Sequence, residues 1–332
     1  IDEDILKDGI DEVLLAKLIG KHSLEQERYE KLYNYYIGKH AICERRRSSD
    51  NIANNKIVCN HAKYIVDIAK SYLVGNPVAY SCSDGYDIEA VKNCFAVQDM
   101  PSLDAEFEKT MSIFGKAYEL VYADEQSQPK SVCLPPSNTF IVYGAGVGET
   151  ALYGIHYYKK RDIDGTVTGV CCIVCDREMI YTYENTADSF LHMTMTNSQH
   201  HYFGKMPMVE YRNNEEKQGD FEQMIPLIDA YNILESDRVN DKEQFVDAFL
   251  FLTGIDLDSE QAKKLKEERI LMGYEGAAAQ YLSKVMSESD IEVLKDSLKS
   301  DIHRFSMIPD LSDQTFGTNL SGVAIKYKLM GF

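Results

Sequence analysis

A chain of 332 residues exceeds one ordinary domain of roughly 100–200 residues, so two or three structural units are expected. Its 44% apolar and 27% charged content is that of a folded globular protein. The net charge of −18, from 53 acids against 35 bases, excludes a broad basic face that grips nucleic acid by releasing counterions. Either nucleic acid is irrelevant to this chain, or it must pass by without sticking.

The first residues, "IDEDILKDGIDEVLLAKLI", are acidic and lack the basic start of a secretory leader. No apolar run approaches the roughly 18 residues of a membrane span. The stretch "DEVLLAKLIGKHSLEQERYEKLYNYYIGKHAI" places Leu14, Leu18, Tyr29, Leu32, Tyr33 and Tyr36 at helical spacings, so most of the first 45 residues read as helix. "ERRRSSDNIANNK" breaks that pattern and reads as an exposed loop. "NHAKYIVDIAKSYLVG" is a second helix, with Ile65, Ile68, Ala69 and Tyr72 on one face and Gly75 as its stop.

From residue 76 to about Met208 the texture changes to short Tyr/Val/Ile-rich runs between turns: "KAYELVYAD", "TFIVYG", "ALYGIHYYKK", "VTGVCCIVC", "MIYTYEN" and "FLHMTMTN". These read as strands of an antiparallel sheet or sandwich, interrupted by one helix, "SLDAEFEKTMSIFG". The segment "RNNEEKQGD" is a polar break. Beyond it, "FEQMIPLIDAYNILESDRVNDKEQFVDAFLFLTG" reads as one long helix, with Pro226 tolerated near its start and Gly254 at its end. Its polar middle and apolar ends suit a helix that bridges two bodies. A compact charged insert over 255–286 and a returning helix, "SESDIEVLKDSLKSDIHRFS", complete a stalk with a tip. "MIPDLSD" ends that helix at Pro309, and the glycine- and asparagine-rich "FGTNLSG" follows.

Candidate chemistry is sparse. "GAGVGE" is spaced G-x-G-x-G and leads into a strand-like run, so a hairpin loop is the better reading than a dinucleotide site, which needs a following helix. Cys172 and Cys175 form a C-x-x-C inside an apolar β run, where residues three apart face opposite sides. A structural zinc site needs four ligands. The pair reads as core thiols, with a metal or redox enzyme as the rival. Cys43, Cys59, Cys82, Cys94, Cys133 and Cys171 show no framework spacing, and all eight read as reduced thiols of a cytosolic chain. His192, His200 and His201 lie close together without an acidic neighbour at helical spacing and read as surface histidines. No nucleophile elbow, phosphate loop or H-E-x-x-H is present. No enzymatic activity, cofactor or metal is expected.

Several stretches together resemble the portal proteins of long-tailed bacteriophages: "RYEKLYNYYIGKHAI", "NKIVCNHAKYIVDIAKSYLVGNPVAY", "FGKMPMVEYRNNEEKQGDFEQMIPLIDAYNILESDRVNDKEQFVDAFLFLTG" and "SDIHRFSMIPDLSDQTFGTNLSGVAIKYKLMG". They run in family order from about residue 28 to the last residue. The resemblance implies an α+β chain: a β-rich wing domain plus long stem helices with a small clip module. It implies a ring of about a dozen copies at one capsid vertex of the virion, assembled in the host cytoplasm. Its axial channel would pass double-stranded DNA during packaging and ejection. The implied partners are the terminase large subunit, head-completion or connector proteins, and capsid and scaffolding proteins, with no membrane. A structural ring adaptor without DNA translocation is the second reading.

Segment by segment, the resemblance implies an N-terminal helical segment (1–59), a wing (60–222) and a first stem helix (223–254). The clip (255–286), a second stem helix (287–309), a tunnel loop (310–322) and the start of a channel helix (323–332) would follow, with the crown beyond it missing from this sequence. Gln314, Thr315, Phe316, Gly317, Thr318, Asn319 and Leu320 would line the bore, Phe316 either plugging it or anchoring the loop base. Lys326 and Lys328 would form two cationic rings or a solvated face. Lys266, Glu267, Glu268, Arg269 and Tyr274 would face terminase or connector, and Glu292, Asp296, Lys299 and Asp301 would belong to the channel wall. The residues agree: over 287–313 seven acids (Glu288, Asp290, Glu292, Asp296, Asp301, Asp310, Asp313) stand against three bases (Lys295, Lys299, Arg304), a net of −4. Repeated around a bore, such a wall repels DNA and keeps it mobile.

Overall fold

The computed structural model describes residues 9–47, 53–83, 85–146, 148–246, 249–253, 278–282 and 288–311. The chain packs as two compact units: Ile1–Lys39, Asn60–Pro226 and Ile302–Phe332 form the first, His40–Cys59 and Leu227–Asp301 the second. Residues 40–59, which the sequence groups with the N-terminal helices, pack in the second unit.

The first unit begins with α1 (Glu12–His22), a 3₁₀ turn and α2 (Gln26–Tyr36). Asp11 caps α1 by accepting from the Leu14 N–H at 2.7 Å, which satisfies one of the helix's orphan donors. α3 (His61–Val74) starts the same way, with Asn60 accepting from Lys63 N–H at 2.9 Å. Its buried stripe is Ala62, Ile65, Val66 and Ala69; Tyr72, expected on it, is 53% exposed. Tyr33, expected to be buried on α2, is exposed as well, and Tyr35 is buried instead. α4 (Glu89–Val97) was not legible as a helix because none of its residues is buried, so no apolar stripe marks it. α5 (Met100–Phe114) ends at Gly115, whose φ of +84° is the left-handed cap that favours glycine.

Eight strands follow, all paired antiparallel. They are β1 (Lys116–Ala123), β2 (Pro129–Leu134), β3 (Thr139–Tyr143), β4 (Ala151–Arg161), β5 (Val167–Cys175), β6 (Met179–Asn185), β7 (Thr194–His200) and β8 (Met208–Arg212). One sheet runs β2-β1-β8 and the other β3-β4-β5-β6-β7. β2 (PKSVCL) and β8 (MVEYR) are too mixed in composition for the sequence pattern to reveal.

α1 lies on the five-stranded sheet. Leu15, Leu18 and Ile19 join Val142, Ile155, Tyr157, Val170, Cys172, Val174, Tyr183 and Met193 in one buried cluster. Each such side chain removed from water contributes about 1.5–3 kcal/mol. Polar ends fasten the helix: Tyr183 Oη donates to Ile10 O at 2.9 Å, and His22 Nδ1 lies 2.9 Å from Tyr157 Oη. A second cluster of Tyr118, Leu120, Leu134, Cys175 and Met208 joins the two sheets. Gly154 permits their close approach, since a Cβ there would stand 2.7 Å from Met208 Cβ and 2.8 Å from Cys175 Sγ.

In the second unit, the long helix α6 (Ile225–Val246) is shorter than the sequence reading. Phe249–Thr253 is instead strand β9, paired antiparallel with β10 (Ala278–Leu282). The run "FLFLT" suits a strand as well as a helix, and cross-strand pairing decides between them. The returning helix α7 spans Glu288–Phe305; its end, from Ile302, belongs to the first unit.

Candidate functional site

The described part of the expected channel wall lies on α7. Glu292 accepts from Arg238 of α6 at 3.0 Å, and Lys295 lies 3.1 Å from Glu235. These pairs tie the two helices together, so Glu292 is engaged with its own chain rather than facing open solvent alone. Asp296 is exposed, whereas Lys299 and Asp301 are half-buried. Tyr231 of α6 reports the local field: burial, then Cys59, Glu235, Asp296 and Glu292, pushes its hydroxyl up to about 12. Val293 and Leu294 are exposed on the same helix, an apolar element the acidic-wall reading did not include.

The polar middle of α6 buries one of its faces. Asn232, Ser236 and Asn240 fall four residues apart on one helix face and are all buried. Asn232 Oδ1 accepts from Cys59 N–H at 2.8 Å, Ser236 Oγ from Ile57 N–H at 2.9 Å, and Asn240 Oδ1 from Asn55 N–H at 2.7 Å. Four helical residues rise about 6.0 Å and two extended residues about 6.6 Å, so the two periods nearly match. A helix thus supplies hydrogen bonds that a neighbouring strand would supply in a sheet. Asn232 also reaches His40 Nδ1 at 2.8 Å. Arg45 and Arg47 both bond Asp237, at 2.8 and 2.7 Å. Glu44, Arg46 and Arg47 are exposed, as the loop reading expects, yet Arg45 and Arg47 also hold Asp237 of α6. The signal that could have revealed the seam is Asn/Ser/Asn in a helix interior, where such residues are disfavoured unless they bond backbone groups.

A third feature is the chain reversal after α7. Ser306 N–H donates to Ile302 O at 3.1 Å, and Met307 takes a left-handed φ of +61°. His303 Nδ1 donates to Ile308 O at 3.1 Å. Tyr64 Oη, on α3, donates to Pro309 O at 3.1 Å and accepts from Leu311 N–H at 2.9 Å. The His303 ring stands edge-on to both Tyr64 and His61, with centroids 5.5 and 5.9 Å away. No sequence pattern marks this contact, because its partners are 245 residues apart.

The remaining candidates resolve simply. Cys172 and Cys175 are buried in different apolar clusters, on opposite faces of β5. Burial raises both thiols above their ordinary value, Cys175 to about 12, which makes them poor nucleophiles and ligands. Among the described residues, no group of His, Cys, Asp or Glu could hold a metal ion, and no helix is long and apolar enough to cross a membrane. "GAGVGE" lies in the β3–β4 hairpin, where Gly144 N–H bonds Thr150 O at 2.9 Å. His200 is exposed on β7, but His201 is buried, with Nε2 3.2 Å from Asp176 O, because the strand ends by turning it inward. The expected tunnel-loop residues 314–320, Lys326 and Lys328, and the clip residues Lys266, Glu267, Glu268, Arg269 and Tyr274, lie outside the described residues.

Comparison with known proteins agrees with the resemblance. A family profile described as "Phage portal protein, SPP1 Gp6-like" matches residues 15–332. The portal protein of Bacillus phage SPP1 is 24% identical over 341 aligned positions, covering 95% of this chain and 67% of its own length. The portal protein of Clostridium phage phiCD119 is 20% identical, covering 94% and 75%. A solved chain from the neck of an empty GTA particle, computed with C6 symmetry, superposes with a TM-score of 0.45 at 13% identity, covering 82% of this chain and 78% of its own.

Proposed function

From the premise that this chain belongs to the phage portal protein family, SPP1 Gp6-like, we propose that it forms a ring at one capsid vertex whose axial channel carries double-stranded DNA. The family match over 15–332 carries this reading. Residues 60–222 act as the wing, 223–254 and 287–309 as the stem, 255–286 as the clip and 310–322 as the loop facing DNA. The clip takes the terminase large subunit during packaging and the connector proteins afterwards. The ring has about a dozen copies and catalyses nothing; the ATP that drives packaging is hydrolysed by the motor docked on it.

The stem geometry supports the reading. Arg238–Glu292 and Lys295–Glu235 stiffen α6 and α7 as a pair. Exposed Asp296 leaves an acidic surface that DNA slides past rather than sticks to. Exposed Val293 and Leu294 suit packing against a neighbouring copy. The test is charge reversal: Asp296→Lys in a complementing portal is expected to slow packaging, most strongly at low salt, where screening is weakest. An unchanged packaging rate at low salt removes Asp296 from the channel wall.

A further inference from the structure

The reversal after α7 is held more firmly than a helix end requires. A helix terminus needs partners for its last carbonyls, and Ser306 with the left-handed Met307 supplies the ordinary ending. The Tyr64 bonds lie beyond that need. They grip the carbonyl of Pro309 and the N–H of Leu311 with a single hydroxyl that donates once and accepts once. A hydroxyl used both ways leaves little freedom to rotate or shift without losing a bond. His303 fixes the carbonyl one residue earlier, and its ring buttresses Tyr64. Ile308, between these contacts, is buried at 2% exposure. Three consecutive peptide groups are thus tied to α3 or to the end of α7, directly before residue 312.

We propose that Tyr64, seconded by His303, is a positioning residue for the root of the segment that follows Leu311: it holds the peptide groups from Ile308 to Leu311 against α3 and the end of α7. The proposal rests on the reading of 310–322 as the DNA-facing loop. Tyr64 grounds the loop root on the wing helix, so that load on the loop is borne by α3 and not by the end of α7 alone.

The test uses the full-length protein carrying Tyr64→Phe, which keeps the ring against His303 and removes both hydrogen bonds. Hydrogen exchange at the Leu311 amide is expected to quicken about five- to tenfold, the factor that one ordinary hydrogen bond supplies. Ring assembly and the melting temperature are expected to hold, while DNA packaged by a complemented portal-null phage falls several-fold. His303→Phe, which loses only the Ile308 bond, is expected to shift both readouts the same way by less. Unchanged exchange at Leu311 overturns the latch itself. Quickened exchange with normal packaging overturns the positioning role. Packaging lost in step with ring assembly or melting assigns Tyr64 to structure alone and also overturns it. If the unmutated protein supports no packaging, the channel reading fails instead, and the exchange arm still decides whether the latch exists.

Discussion

The five-stranded sheet and the α6 seam hold their neighbours by opposite means. On the sheet, α1 is fixed by Leu15, Leu18 and Ile19 against an apolar face, with two polar contacts at its ends. Along α6, residues 55–59 are fixed by Asn232, Ser236 and Asn240, which are as buried as any core residue. Apolar packing is tolerant of small shifts and worth roughly its buried area. A buried hydrogen-bonded seam adds little net stability per bond, but each missing partner leaves an orphan that is costly. The seam therefore specifies register more than it adds stability.

Deleting the apolar contact should cost most. Ile155→Ala, at the fully buried centre of the sheet, is expected to destabilise by about 2–5 kcal/mol, read by denaturant unfolding. A loss below about 1 kcal/mol would mean that the sheet core is not packed as described. On the seam, Asn232→Ala removes the acceptor of the Cys59 N–H and is expected to cost about 1–3 kcal/mol. Proteolysis within 40–59 should rise with it. If cleavage there stays at the unmutated rate, the seam is not what holds that segment.

The smallest effect concerns a polar group buried in the first unit. Burial, then the Asp220 carboxylate, pushes the Glu108 carboxyl up to about 7. An acid whose folded value is raised is favoured in its protonated form, so its contribution is intact below about 4.5 and is lost as pH rises to about 7. Glu108→Gln is expected to stabilise by about 1–2 kcal/mol at pH 8 and to do little at pH 4. Equal melting shifts at the two pH values would contradict the raised pKa.

The same contrast explains what the sequence disclosed. Six of the eight strands in the first unit were legible, because alternation is a local signal. The opposite-facing Cys172 and Cys175 followed from strand periodicity alone. The seam was not legible, because its bonds join residues 173–185 positions apart through side chains whose default reading is solvent-facing. Tyr72 and Tyr33 fit the helical stripe by spacing yet are exposed, because an amphiphilic ring fits either side. The end of α6 was misplaced because "AFLFLTG" satisfies both periods. Of the candidate site, the described residues include those expected on α7, where Glu292 is paired with Arg238.

The central claim is that copies of this chain close into a ring around a channel. Native mass spectrometry of the protein, with negative-stain images of the same sample, decides this. One dominant species at an integer multiple of the protomer mass is expected, seen as a closed ring with a central hole. A monomer at every concentration tried, with no ring in the images, would contradict it.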